Sequence, residues 1–315
     1  MTIPADLKSE NPHVPEDKPP ASPGDPASRA ITASLRSAIG RLGAAEELAR
    51  RGDVEGVHRL RTTCRRLRSE LRAFRELIDP EWGGRLEGEL RWLGGAIGEV
   101  RDLDVLRERF EKGETEEDRR ELAPLFDWLA RRHEKATHHL HATLDGERFR
   151  ALVDELHAGL AEPPLAPAAS KRCRKVLPPL VEKAWKRLRD DAEGLAADSP
   201  DEAFHEVRKR AKRARYTTEL IAPALGPKVQ KPANKHVRLA RKIQDLLGEH
   251  QDAVVAATEV ETFLNREEHP VAFKRAAAAL LGRLRLAADA SRDAFLVLRP
   301  KLDRKRYRGR LNPKG

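Results

Sequence analysis

The sequence predicts an all-α protein built from two related helical halves. Three observations carry that expectation. Only 4% of the 315 residues are aromatic and 36% are charged, with Ala, Leu, Arg and Glu abundant, a composition suited to long helices. From about Arg29 onward, apolar residues recur at spacings of 3 and 4, with few β-branched runs. Two motifs also occur twice, in the same order and at nearly one offset.

Along the chain, residues 1–28 hold seven prolines, five acidic and two basic residues, and are expected to form a disordered leader. Residues 29–298 form the helical part. Its halves, about 29–160 and 171–298, are separated by the Pro/Ala stretch "AEPPLAPAAS", which reads as a linker. Residues 299–315 carry eight basic residues against one Asp and are expected to be a flexible basic tail.

The net charge of +10 makes an anion the first candidate partner. Cys64 and Cys173 lie far apart and belong to no Cys-x-x-Cys pair, which argues against a disulfide framework or a thiolate metal site. No apolar run is long enough to cross a bilayer, so no membrane partner and a cytoplasmic location are expected.

The first repeat pairs "VHRLRTTCRRLR" (57–68) with "FHEVRKRAKRAR" (204–215), placing His58 and His205 147 positions apart. The second pairs "LGGAIGEVRDLDV" (93–105) with "IQDLLGEHQDAVV" (243–255), aligning Gly98 with Gly248 and Asp102 with Asp252. In the first motif, Val57, Leu60, Cys64, Leu67, Leu71 and Phe74 make a continuous seam at helical spacing. One position on, His58, Arg61, Arg65, Arg68 and Arg72 recur at the same spacing and flank it. This stripe spans about 21 Å at about 1.5 Å per residue.

The second helix repeats the pattern. Phe204, Val207, Ala211, Ala214 and Ile221 form the seam, and His205, Arg208, Lys212 and Arg215 the stripe. Between Val57 and Phe74 there are six arginines and one acid, Glu70, so i,i+4 pairing cannot neutralise the row. Like charges one turn apart repel, and an anionic ligand would relieve that. Lys235, Arg238 and Lys242 share a further helical face and extend the cationic surface.

At these residues the chain resembles the CHAD domain (conserved histidine α-helical domain) family. The likeness is carried by "VHRLRTTCRRLRSELRAF", "LGGAIGEVRDLDVL", "FHEVRKRAKRARYTTEL" and "IQDLLGEHQDA", and it covers about 29–298. The resemblance implies two pseudo-symmetric antiparallel helical bundles flanking a basic groove or pore. It also implies binding of inorganic polyphosphate and association with polyphosphate granules, with granule proteins as further partners. The family's histidine and basic positions map onto His58, Arg61, Arg65, Arg66 and Arg68, and onto His205, Arg208, Lys209, Lys212, Arg213, Arg215 and Tyr216. Other members carry a CYTH-type triphosphatase module. The 28-residue leader is expected to be too short to hold one and no Glu-x-Glu-x-Lys pattern is present, so no triphosphatase activity is expected of this chain.

Polyphosphate is a flexible polyanion without bases. It suits a line of arginine forks and lysine point charges more than a pocket with a few polar groups. A nucleic-acid-binding helical protein using the same surface is the alternative, disfavoured by the scarcity of aromatic, Asn and Gln side chains in the stripes. The histidines have two readings: contact with bound anion, which would tighten binding toward acid pH, or a hydrogen bond to Asp102 or Asp252. Asp102 and Asp252 are expected to orient a stripe arginine or histidine, and Gly98 and Gly248 to permit close helix approach.

No Walker A loop, nucleophile elbow or Rossmann glycine pattern occurs, so binding without catalysis and without a cofactor is expected. The cluster His133, His138, His139 and His141 is expected to be a surface cluster and not a metal site, because no HExxH or cysteine set completes it.

Overall fold

The computed structural model describes residues 21–304 except 52, 114 and 267, together with Tyr307 and Leu311; the expected leader up to residue 20 lies outside them. Ten α-helices carry the described fold, and no strand occurs among the described residues. In order they are α1 Ala27–Arg50, α2 Val54–Ala73, α3 Pro80–Glu111, α4 Glu116–Glu121 and α5 Ala123–Asp145. Then follow α6 Glu147–Ala161, α7 Cys173–Glu193, α8 Asp201–Ile221, α9 Pro227–Leu264 and α10 Val271–Leu298.

Local chemistry sets several of these starts. The Asp53 carboxylate accepts the amides of Glu55 and Gly56 at the head of α2. Asp79 accepts the Trp82 amide while Pro80 takes the first helical position of α3, where its missing N–H costs nothing. Thr115 and Asp118 form a reciprocal capping box on α4. The tight turn between α1 and α2 depends on Gly56, where an added Cβ would lie 2.6 Å from the Ala49 amide nitrogen.

Helices α1 to α6 pack among themselves, as do α7 to α10. The two groups meet through α2 on α8, α3 on α9, α1 on α7 and α4 on α10. Both predicted seams are buried: Leu60, Cys64, Leu67, Leu71 and Phe74 in α2, and Phe204, Val207, Ala211, Ala214 and Ile221 in α8. Thr218 fills the one gap in the α8 seam. Its hydroxyl accepts the Trp185 indole N–H at 2.9 Å and donates to the Ala214 carbonyl at 2.7 Å, which makes a polar core position tolerable.

The folded part extends beyond the ends read from the sequence. Ala21 and Ala27 are buried, and Pro26 bridges to Arg172. The Pro/Ala connection is strapped down, with the Asp79 amide donating to Pro164 O and the Ala166 amide to Leu77 O. After α10 the chain makes a 3₁₀ turn, Arg299–Asp303, and Leu302, Tyr307 and Leu311 are buried. The tail was expected to be loose because its basic residues dominate the composition. Three apolar anchors spaced 5 and 4 apart decide otherwise.

Tyr307 lies parallel to Trp185 with ring centroids 6.2 Å apart, and its carbonyl accepts Arg189 at 3.1 Å. Tyr307→Ala should therefore cost about 3 kcal/mol of stability, read as a lower urea midpoint; an unchanged midpoint would show that the tail contributes nothing to the fold.

Candidate functional site

The packing of α2 against α8 brings the two basic stripes together. Lys212 on α8 sits half-buried with Arg208 and Arg215 from its own helix and Arg61 and Arg65 from α2 acting on it. Burial, reinforced by these four guanidinium groups, pulls its ammonium down to about 6 from 10.5. No acid offsets them among the dominant influences on Lys212.

Several arginine side chains here keep unmet hydrogen-bonding capacity. The Nε atoms of Arg65, Arg68 and Arg215 are buried and lack a hydrogen-bond partner, as does Nδ1 of His205. These are four of the seven such side-chain atoms among the described residues, so unmet hydrogen-bonding capacity is concentrated at this junction. Arg215 stacks over the Tyr216 ring at 4.6 Å, and Glu219 approaches it only to 3.9 Å.

Toward the C-terminal end of α2, Arg68, Arg72 and Arg213 form a second group. Burial and then the Arg72 charge lower the pKa of both Arg68 and Arg213. Here acids intervene: Arg72 is bonded to Glu87 of α3, which Arg91 also approaches at 3.7 Å, and Glu206 also acts on Arg213. The Glu87 carboxyl stays below its usual value because the Arg72 bond and the surrounding cations outweigh its burial.

The second repeated motif supplies positioning. Arg61 donates to Asp102 at 2.7 Å and to the Gly98 carbonyl at 3.3 Å. Arg208 lies 3.9 Å from Asp252. At Gly248 an added Cβ would stand 3.3 Å from the Arg208 guanidinium, and at Gly94 one would stand 3.7 Å from that of Arg68. The glycines were expected to admit a neighbouring helix. At Gly248 the glycine instead leaves room for the Arg208 side chain lying across the helix surface, at Gly94 a Cβ would meet Arg68 at ordinary contact distance, and at Gly98 the nearest atom is the carboxylate of Asp102.

Asp252 has its pKa raised, chiefly by burial; Glu249 and Asp102 add to this, and Arg208 and Arg109 oppose it. Arg109 grips Glu249 through two bonds of 2.9 and 2.8 Å, joining α3 to α9. The sequence reading missed Arg109 and Arg91. The available signal was helical phase, since Arg109 lies two turns after Asp102 on the same helix.

Not every predicted position joins the cluster. Arg66 turns toward the buried Glu70 at 3.7 Å, on the α1 side, where Ser34 and Arg41 also meet that carboxylate. It is 100° round the helix from Arg65, which explains the separation. Lys209 pairs with Glu206 and Glu202 of its own helix. His58 is exposed at the start of α2, and Lys235, Arg238 and Lys242 are exposed along α9 without ion pairs among the described residues.

Neither His58 nor His205 bonds Asp102 or Asp252, whose arginine partners occupy that role. Burial, then the Lys209 charge, lowers the pKa of His205. In the histidine cluster on α5, His133 meets Asp104 at 3.0 Å and His138 meets the Glu134 carbonyl at 2.9 Å. No group of three metal-ligating side chains occurs among the described residues. No helix is long and apolar enough to cross a membrane among them either.

An all-helical fold whose two helix groups meet at a shared cationic cluster defines the class of protein. The chain belongs to the CHAD domain family, whose model matches residues 33–261. It is 30% identical over 254 residues to two uncharacterized proteins of Mycobacterium tuberculosis, a match covering 75% of this chain and 45% of each relative. The chain thus spans about half the length of the curated relatives it matches. Among solved structures it resembles PptA from Streptomyces chartreusis, with a TM-score of 0.72 and 23% identity over 87% of this chain and 99% of that one. The CHAD domain from the plant Ricinus communis gives a TM-score of 0.70 and 24% identity, over 91% and 97% of the two chains.

Lys212 makes a stability test. Its pKa is lower folded than unfolded, so the stability present above pH 10.5 is lost progressively as pH falls toward about 6. Lys212→Met removes that loss and should raise the unfolding free energy at pH 7 by more than about 1 kcal/mol. The gain should grow toward pH 6 and vanish above 10.5 in urea titrations. A pH-independent difference would show that Lys212 stays charged in the folded protein.

Proposed function

We propose that this protein binds inorganic polyphosphate through the cations at the α2–α8 junction, without turning it over, and that this binding directs it to polyphosphate granules. The observation that carries the reading is Lys212 held within reach of Arg61, Arg65, Arg208 and Arg215, two from each helix, with no neutralising acid among the dominant influences. A polymer carrying about one charge per phosphate relieves that repulsion along its length, which a single small anion cannot do. The buried Nε atoms of Arg65 and Arg215 are donors awaiting an acceptor. The CHAD resemblance points to the same ligand.

The basic groove of this reading runs along α2 and α8. Arg61, Arg65, Lys212, Arg208 and Arg215 form its centre, and Arg68, Arg72 and Arg213 continue it toward α3. His58 stands at its exposed end and His205 beside its buried part. The acids near it, Asp102, Asp252 and Glu249, are engaged by Arg61, Arg208 and Arg109, an arrangement that orients cations. That division of roles supports a reading of binding without hydrolysis.

The test is titration with long-chain polyphosphate at several salt concentrations, with DNA and RNA as competitors at matched charge. Arg65→Gln with Arg215→Gln should weaken binding at least about tenfold and reduce the salt slope by about 0.7 per cation removed, with helix content unchanged. Displacement by nucleic acid at matched charge would replace this reading with the nucleic-acid one, and phosphate release during incubation would end the non-catalytic part.

Binding should also take up a proton. A bound polyanion restores charge to Lys212, so affinity should rise as pH falls from about 10 and level off below about 6. Calorimetry in buffers of different ionisation enthalpy reads the uptake directly, and Lys212→Met should abolish it. Equal heats in all buffers near pH 7 would show that Lys212 does not titrate on binding.

A further inference from the structure

The surroundings of Lys212 are unusual for a lysine. Lys183, Lys186, Lys209 and Lys274 each meet a carboxylate near the surface, and Lys235 and Lys242 stand exposed on α9. Lys212 does neither. It is half-buried where α8 packs on α2, and it makes no hydrogen bond or ion pair with any described residue. Arg61 and Arg65 of α2 and Arg208 and Arg215 of its own helix act on it. The acids that the adjoining helices bring, Asp102 of α3 and Asp252 of α9, are engaged by Arg61 and Arg208. On α8 itself, Glu219 comes only within 3.9 Å of Arg215.

An amine held in this way is a nucleophile. Burial, followed by the four guanidinium charges, pulls it down to about 6, so at pH 7 it is largely unprotonated and carries a free lone pair. An ordinary lysine, at about 10.4 in water, is then protonated in all but about one molecule in 2,500. The same cluster also offers a place for a departing anion, because the Nε atoms of Arg65 and Arg215 are buried donors without an acceptor. A lone pair beside anion-binding arginines is what acyl transfer from a phosphate requires: the nucleophile on one side, and donors for the leaving group on the other.

We propose that Lys212 is a covalent modification site for small acyl phosphates, with Arg65 and Arg215 receiving the phosphate that leaves. The Nζ lone pair attacks the carbonyl carbon, the N–C bond forms as the C–O bond to phosphate breaks, and the amine proton leaves on the phosphate. The products are an acylated lysine and inorganic phosphate, so no oxidant or further reactant is needed. The new amide cannot regain a proton, and acylation therefore removes one cation from the cluster. If the polyphosphate reading also holds, the acylated protein grips the polymer less tightly, and the acyl-phosphate level sets how much of the protein binds it. The modification itself does not depend on that reading.

The test is to incubate the full chain with acetyl phosphate below saturation and to follow each lysine by mass spectrometry. Under that condition the rate reports the ionisation of the free protein. At about pH 7 Lys212 should be acetylated at least about tenfold faster than Lys235 or Lys242, its larger neutral fraction outweighing its weaker basicity. Between about pH 7.5 and about pH 9 its rate should stay within about twofold, where an ordinary lysine gains about tenfold per unit. N-acetylimidazole, an uncharged acetyl donor, separates the role of the phosphate from that of the amine. At about pH 9, Arg65→Gln with Arg215→Gln should slow acetylation of Lys212 by acetyl phosphate at least about tenfold, and by N-acetylimidazole less than about twofold. These readouts need no polyphosphate, so a failure to bind that polymer leaves them unaffected. Labelling of Lys212 no faster than that of Lys235 and Lys242 overturns the proposal. So does a rate that keeps climbing tenfold per unit, or an equal loss with both donors in the double variant.

Discussion

The repulsion among cations at the α2–α8 junction is the constraint around which the structure is arranged. Burial, joined by the charges of Arg65, Arg208, Arg61 and Arg215, pulls the Lys212 ammonium down to about 6. Packing opposes that repulsion. The seam of each helix lies one residue from its stripe, so every cation stands beside a buried apolar neighbour: Arg61 beside Leu60, Arg65 beside Cys64, Arg208 beside Val207, Lys212 beside Ala211. The hydrophobic contact that fixes the helices also fixes the charges, and they cannot move apart without opening the core.

The second motif makes the cluster directional. Asp102 and Asp252 hold Arg61 and Arg208 from one side, and Arg109 with Glu249 ties α3 to α9 across the two helix groups. The acids take up part of the guanidinium hydrogen-bonding capacity but leave Arg65 and Arg215 with unmatched buried donors. Gly248 completes the arrangement by letting the Arg208 side chain lie against a helix. It gives up helix propensity for that contact, about 1 kcal/mol relative to alanine.

Where the chain ends its folded part shows the limit of reading by composition. The last seventeen residues are dominated by Lys and Arg, and a charge count sees only that. Leu302, Tyr307 and Leu311 are too sparse to form a periodic pattern, yet Tyr307 finds Trp185, over a hundred residues earlier in the chain. Arg66 teaches the same lesson in reverse. It belongs to the motif by position, but helical phase turns it to Glu70, whose burial nothing in the local sequence announces.

By itself the sequence determined the helical class, the two buried seams, the stripes beside them and the repeated pairing of a basic helix with a Gly-Asp helix. These depend on spacing along a single helix, which 3.6 residues per turn makes legible. Tertiary structure alone decided that α2 and α8 face each other, so that two separate stripes became one cluster and the Lys212 ammonium was pulled down to about 6. It also decided that Arg109 joins the site. Those outcomes depend on distances between residues more than a hundred positions apart, and on burial that sums contributions from every neighbouring helix. Helical periodicity carries no information about which face meets which.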